Sequence, residues 1–260
     1  PDYGTGPGAR VFNHSWNMPD ATYDATSFLL DQATRTLYSA AFTFRDNQLL
    51  RGAAVSSLHV VSAGNTTANQ GIVQAPATAK NVITVGATET YNQETYPAGC
   101  PNAEAGNADN PRQLATLSRV GWSNQRVKPD LVAPGTRMYG LYSSETRCTL
   151  NCNSDLKGDG SRYAWANGTS FAAPVVTGAA ILVKEWFRTA GYTDPSPALI
   201  KAALIATAQS LTDLPSCATG CSPCCASCGA MQPAPDSRQG WGGVSLDKLF
   251  RPLANYFIID

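Results

Sequence analysis

Apolar positions along the chain fall into short β-branched runs separated by stretches of helical spacing. A strand is predicted at about 9–16 (A-R-V-F-N-H-S-W), and a helical stretch begins near Tyr23. A second strand ends in H-V-V-S-A-G-N (59–65), and N-V-I-T-V-G-A (81–87) carries the β-branched residues that suit a sheet interior. Polar, Pro- and Gly-bearing sequence from Thr90 to Arg112 predicts a long surface insertion. L-V-A-P-G (131–135) leads into an irregular stretch, 142–166, and then a long helical pattern runs from about Ser170 to Ala190, fully buried near its start. A further helix opens at D-P-S-P (194–197), where Ser196 can cap and Pro197 can take the first helical position ahead of Leu199, Ile200, Ala203 and Leu204. G-W-G-G-V-S-L (240–246) suits a strand and its packing turn. Strands alternating with helices predict an α/β fold with a doubly wound, mostly parallel sheet and helices on both faces.

At 260 residues and 43% apolar composition the chain can bury one large core, and a single domain spanning 1–260 is expected. Charge is balanced, 19 basic against 19 acidic residues, which gives no electrostatic footprint for nucleic acid or an anionic membrane; small neutral partners, or peptides, fit better. The apolar run Ala172 to Val183 is too short to span a bilayer and is broken by Pro174, Thr177 and Gly178, so a buried helix is expected there. The opening P-D-Y-G-T-G-P-G-A-R lacks an initiator Met and a secretory-signal pattern, as a processed or truncated start would.

Five of the eight cysteines, Cys217, Cys221, Cys224, Cys225 and Cys228, crowd into a Gly/Pro/Ser-rich insertion at about 215–230, and Cys148 and Cys152 form another close pair. An even count in loops points to disulfides and a secreted, extracellular setting. Zinc is the rival, since C-S-P-C and C-A-S-C have metal-like spacing; the cluster lacks His and a regular paired framework.

The sharpest chemical signal is N-G-T-S-F-A-A-P (167–174), a small-residue turn that places Ser170 at the mouth of a helix. Gly168 permits close backbone approach, and Pro174 is expected in the first turn, where no intrahelical N–H is lost. Unpaired N–H groups and the positive end of the helix dipole there stabilise developing negative charge, which suits an acyl-transfer nucleophile. A serine serving only as an N-cap is the plainer explanation of the same residue. Against it stand S-A-G-N (62–65), K-P-D-L-V-A-P-G (128–135) and N-G-T-S-F-A-A-P, present in that order.

With these motifs, and with A-P-A-T-A-K-N-V-I-T-V-G-A-T-E (75–89) and Q-G-W-G-G-V-S-L-D-K (239–248), the chain resembles the subtilisin family of serine endopeptidases over most of residues 9–249. Within it, the larger alkaline, oxidatively stable bacterial subtilases are most similar. The resemblance implies the C-terminal part of a catalytic domain, with the N-terminal part missing. It implies Ser170 as nucleophile and Asn65 as the side-chain donor of an oxyanion hole, the Ser170 N–H being the second donor. It further implies Ser15, Trp16 and Asn17 as one rim of a groove that takes an extended peptide as an added strand. Ser62, Ala63 and Gly64 form the facing wall, and Gln74 lies at the far end of the pocket for the residue before the cleaved bond. Two departures stand out: Asn17 where the family usually has Gly, and T-L-S-R-V-G-W (116–122) in place of its Ser-Ser-Arg-Gly run.

A serine hydroxyl needs a base oriented by a carboxylate. The chain's two histidines, His14 and His59, lie in strand patterns and outside the His-Gly-Thr setting of the family, and Asp130 of K-P-D follows the oxyanion Asn, a structural position there. The triad Asp and His are therefore expected upstream of Pro1, in a missing segment or a second chain, and residues 1–260 alone are expected to be inactive. No cofactor is required for this chemistry and no metal site is assigned, although D-L-K-G-D-G (155–160) has spacing compatible with a structural calcium. The alternatives are a non-catalytic subtilase relic that binds peptides or acts as a scaffold, and a sedolisin-type acid peptidase, which V-A-P-G (132–135) with Asn65 fits less well.

Overall fold

A computed structural model describes residues 10–35, 56–66, 71–92, 108–121, 126–141, 163–211 and 233–250. The cysteine-rich insertion, the other three cysteines, the acidic loop 155–160 and most of the 90–112 insertion lie outside the described residues.

Four parallel strands form the central sheet in the order β1 (Val11–His14), β2 (Leu58–Ser62), β3 (Ile83–Thr88) and β4 (Leu131–Pro134). Every residue of β2 and β3 is buried, as a parallel strand covered on both faces requires. Val60 packs in the main core beneath α2 (Thr169–Thr189), whereas its neighbour Val61 packs in a second cluster with Leu30 of α1 (Ala25–Arg35). Successive strand residues point to opposite faces, so the two helices cover opposite sides of the sheet and the fold is a doubly wound α/β sheet.

The helix α2 lies across all four strands. Its buried residues Ala172, Ala173, Val176, Ala180, Val183 and Phe187 recur at helical spacing and meet Leu58, Ile83, Val85 and Leu131. Small residues near its N-terminus let the helix approach the strand ends closely. At 21 residues it is long and apolar enough to cross a membrane, contrary to the sequence expectation, yet this inward face forms the main core. Burial is also one-sided even near its start, since Pro174 is exposed, as are Ile181 and Leu182 further along. The next helix, α3 (Pro197–Thr207), starts as its sequence predicts, with the Ser196 hydroxyl accepting from Leu199 N–H at 3.1 Å.

Three boundaries differ from expectation. Within the stretch read as irregular, Tyr163–Ala166 forms a strand, β6, antiparallel to β5 (Met138–Leu141). Residues 240–246 form no strand; Gly243 makes single bridges to Val132 and Gln209, because two positive-φ glycines, Gly240 and Gly242, turn the chain around it. Pro174 sits in the second turn of α2, not the first, with consequences at the serine described below.

The K-P-D motif anchors the lower part of the sheet. Asp130, buried at the start of β4, accepts from Lys128 Nζ at 2.6 Å and from Thr84 N–H at 2.7 Å, and pairs with Lys201 Nζ of α3 at 2.9 Å. Burial pulls the Lys128 ammonium down to about 8 despite Asp130. Burial pushes the Asp130 carboxyl up, but the two lysines outweigh it and hold the group below its ordinary value. Removing the carboxylate strands a buried ammonium, so Asp130→Ala is expected to cost about 3–5 kcal/mol in urea unfolding. A loss below about 1 kcal/mol would show that the network contributes little beyond a surface pair.

Candidate active site

Parallel pairing of β1 and β2 ends at His14 and Val61. Beyond this register the chains separate, and 15–18 and 62–65 face each other at the carboxyl ends of the strands, where open α/β sheets form their crevices. Gln74 N–H donates to Ala63 O at 3.2 Å and Met18 N–H to Ala75 O at 2.7 Å, so residues 74–75 tie both walls together. The structure thus brings Ser15, Trp16 and Asn17 against Ser62, Ala63, Gly64 and Gln74, with Trp16 44% exposed while Ser62 and Ala63 are fully buried.

Asn65 stands at the mouth of α2. Its Oδ1 accepts from both the N–H and the hydroxyl of Thr169, each at 2.9 Å, and the Thr169 hydroxyl in turn accepts from Gly64 N–H at 3.2 Å. A backbone N–H only donates, so the atom facing it must be the carboxamide oxygen, and the orientation of the amide is settled. Nδ2 is left with no acceptor among the described residues, beside the turn that carries Ser170. Gly168 adopts φ +155°, which side chains rarely do, and a Cβ on it would crowd Asn65 Nδ2 at 3.2 Å. Gly64, at φ +99°, holds the neighbouring turn, and a Cβ on it would meet Gln74 Oε1 at 2.7 Å and Arg119 Cδ at 2.9 Å.

Ser170 is the second residue of α2, half-buried, and its N–H has no partner among the described residues. Pro174 lacks the N–H that would bond the Ser170 carbonyl across one helical turn. That carbonyl accepts instead from Ser15 Oγ at 2.8 Å, while Ser170 Oγ donates to Ser15 O at 3.3 Å. Asn13 Nδ2 holds Ser15 Oγ at 2.9 Å. The proline thus latches the serine turn onto the end of β1. Nothing in the sequence pattern singled out Thr169 as the residue that clamps Asn65, although it lies within the quoted motif. Arg119, noticed only as a departure, braces the same loop through Nε to Asn65 O at 3.0 Å and NH1 to Ile72 O at 3.2 Å.

Both histidines of the chain are described, and neither bonds Ser170. His14 Nε2 and His59 Nδ1 lie 2.8 Å apart, and His59 Nε2 lies 2.8 Å from Ser57 Oγ. His59 also stacks on Phe12, with centroids 5.2 Å apart. Burial lowers both rings, and His59 falls to about 4, the His14 charge adding to the effect. A neutral, hydrogen-bonded pair on the sheet face is the result. Ser170 Nα–H, Ser170 Oγ and Asn65 Nδ2 form two donors and one hydroxyl around a single turn, a set that can receive an oxyanion formed at that hydroxyl.

The profile of the subtilase family matches residues 5–242. Subtilisin BL of Lederbergia lenta is 33% identical over 145 residues, 53% of this chain and 46% of its own length. Alkaline elastase YaB of a Bacillus species (strain YaB) is 32% identical over 145 residues, 53% of this chain and 33% of its own. The chain therefore spans less than half the length of these relatives. Among solved structures, fervidolysin from Fervidobacterium pennivorans, described as a keratinolytic enzyme related to subtilisin, superposes with a TM-score of 0.53 at 22% identity. That superposition covers 95% of this chain and 27% of the other, and its likeness is one of fold.

His59 makes a pH prediction. With its folded pKa near 4 against an ordinary 6.5, the unfolded chain binds the extra proton between these values, so stability is full above about pH 6.5 and declines as pH falls toward 4. His59→Gln is expected to flatten the drop in urea midpoint between pH 7 and pH 4.5. An unchanged slope would show that His59 is protonated in the folded protein.

Proposed function

The chain belongs to the subtilase family, and from that premise we propose that it is the nucleophile-bearing part of a serine endopeptidase, with Ser170 and Asn65 as its catalytic residues. The observation that supports this best is the Asn65–Thr169 clamp, which commits the carboxamide oxygen and leaves Nδ2 available beside Ser170. In this reading Ser170 Oγ attacks the carbonyl carbon of the scissile peptide and its proton passes to a histidine base. The carbonyl oxygen, now negative, is received by Asn65 Nδ2 and Ser170 N–H. Collapse breaks the C–N bond, the base returns the proton to the leaving amine, and water releases the acyl group by the reverse sequence.

The peptide or protein substrate lies extended along 15–17, with Ser15 O as an acceptor for its backbone once Ser170 Oγ turns away to react, and the side chain before the cleaved bond turns toward 62–64. The base and its carboxylate come from residues upstream of Pro1 or from a separate chain, since His14 and His59 bond each other rather than Ser170. The edge position of β1 among the described strands, and the exposed Ile181 and Leu182 of α2, offer such a segment surfaces to pack on. An extracellular setting, disulfides among the cysteines and a chemistry needing no cofactor complete the proposal, a calcium ion entering only as a structural stabiliser. The same histidine geometry favours a second reading, a peptide-binding subtilase without turnover.

Labelling with a fluorophosphonate separates the two in the full-length protein. The expected outcome is stoichiometric labelling that Ser170→Ala abolishes, while Asn65→Ala retains slow labelling and lowers kcat by about 10²–10³-fold, the size known for the same donor in subtilisin. Equal labelling of wild type and Ser170→Ala would overturn the assignment of the nucleophile, and absence of labelling would favour the non-catalytic reading.

A further inference from the structure

The side chain of Asn17 joins the two segments 15–17 and 62–64. Asn17 Nδ2 donates to Ser62 O at 2.7 Å, and Ser62 Oγ donates to Asn17 Oδ1 at 3.0 Å. Both ends of the Asn17 carboxamide are therefore satisfied by one residue of the opposite wall, and that residue is wholly buried. The pair takes over where backbone pairing between β1 and β2 stops, three residues past His14. A glycine at position 17 could not make this bridge. The far end is occupied as well, because Gln74 Oε1 lies against the bare face of Gly64, 2.7 Å from where a Cβ would stand.

We propose that the Asn17–Ser62 bridge determines specificity, closing the pocket for the residue before the cleaved bond so that it takes small side chains (Gly, Ala, Ser) and refuses Phe or Leu. The inference rests on the peptidase reading above. A large side chain entering between 15–17 and 62–64 must displace the Asn17 amide, which breaks two hydrogen bonds and leaves the buried Ser62 hydroxyl and carbonyl unpaired. The carboxamides of Asn17 and Gln74 place polar atoms at this contact, which gives an aromatic ring little apolar surface to bury.

The test is the kcat/KM of the full-length protein on peptide p-nitroanilides that differ only in Ala or Phe before the cleaved bond. Wild type is expected to favour Ala by at least about 10-fold, and Asn17→Gly to shift the Phe/Ala ratio toward Phe by about 10–100-fold, the range that pocket shape commands. Ser62→Ala, which breaks one of the two bonds, is expected to shift the ratio the same way by less, and decides the matter should Asn17→Gly not fold. Ser170-dependent cleavage with a ratio that neither variant moves beyond about 2-fold, or a wild type that favours Phe, overturns the pocket assignment alone. Absence of any Ser170-dependent cleavage overturns the peptidase reading and the pocket with it.

Discussion

The site is organised by one hydrogen-bonded clamp, in which the carboxamide oxygen of Asn65 takes both the N–H and the hydroxyl of Thr169. It joins the end of β2 to the mouth of α2, two elements more than a hundred residues apart in the chain, and it orients an amide that would otherwise be free to turn over. Thr169 N–H is one of the donors that a helix start leaves without a partner. By satisfying it from outside the helix, Asn65 acts as a cap in trans, and its own N–H₂ keeps no acceptor among the described residues. Ser170 N–H, the next donor along, has no partner among the described residues either.

Everything around this clamp fixes distances. The parallel strands β1 to β4 set the crevice, Gly64 and Gly168 allow backbone and amide to meet without a Cβ between them, and Arg119 pins the Asn65 carbonyl. Pro174 contributes by subtraction: the N–H it lacks releases the Ser170 carbonyl to Ser15, so a helix defect becomes a tie between the serine turn and the groove rim. Below, the buried Asp130 with its two lysines holds β3, β4 and α3 in register, which is a structural task for a motif whose carboxylate could be mistaken for a catalytic one.

Much of this was legible in the residues. Val-rich strands, the Ser196–Pro197 helix start and the long small-residue helix follow from local patterns, and the serine turn and Asn65 follow from short motifs. What escaped was non-local. Tyr163–Ala166 becomes a strand only because Met138–Leu141 lies alongside it, and 240–246 loses its strand because its glycines turn the chain about Gly243. The role of Thr169 depends on a partner 104 residues away, and that of Asn17 on Ser62, 45 residues away. No window along the chain contains either pair. The burial of α2 was overread for the same reason, since an apolar residue such as Leu182 reports its own preference and not whether anything covers it.

The most direct test of the two-donor site is a crystal structure of the full-length protein after reaction with a phosphonate. A covalent bond to Ser170 Oγ is expected, with one phosphoryl oxygen about 2.7–3.1 Å from both Asn65 Nδ2 and Ser170 N. An adduct on another residue, or one on Ser170 whose oxygen points away from Asn65, would contradict it.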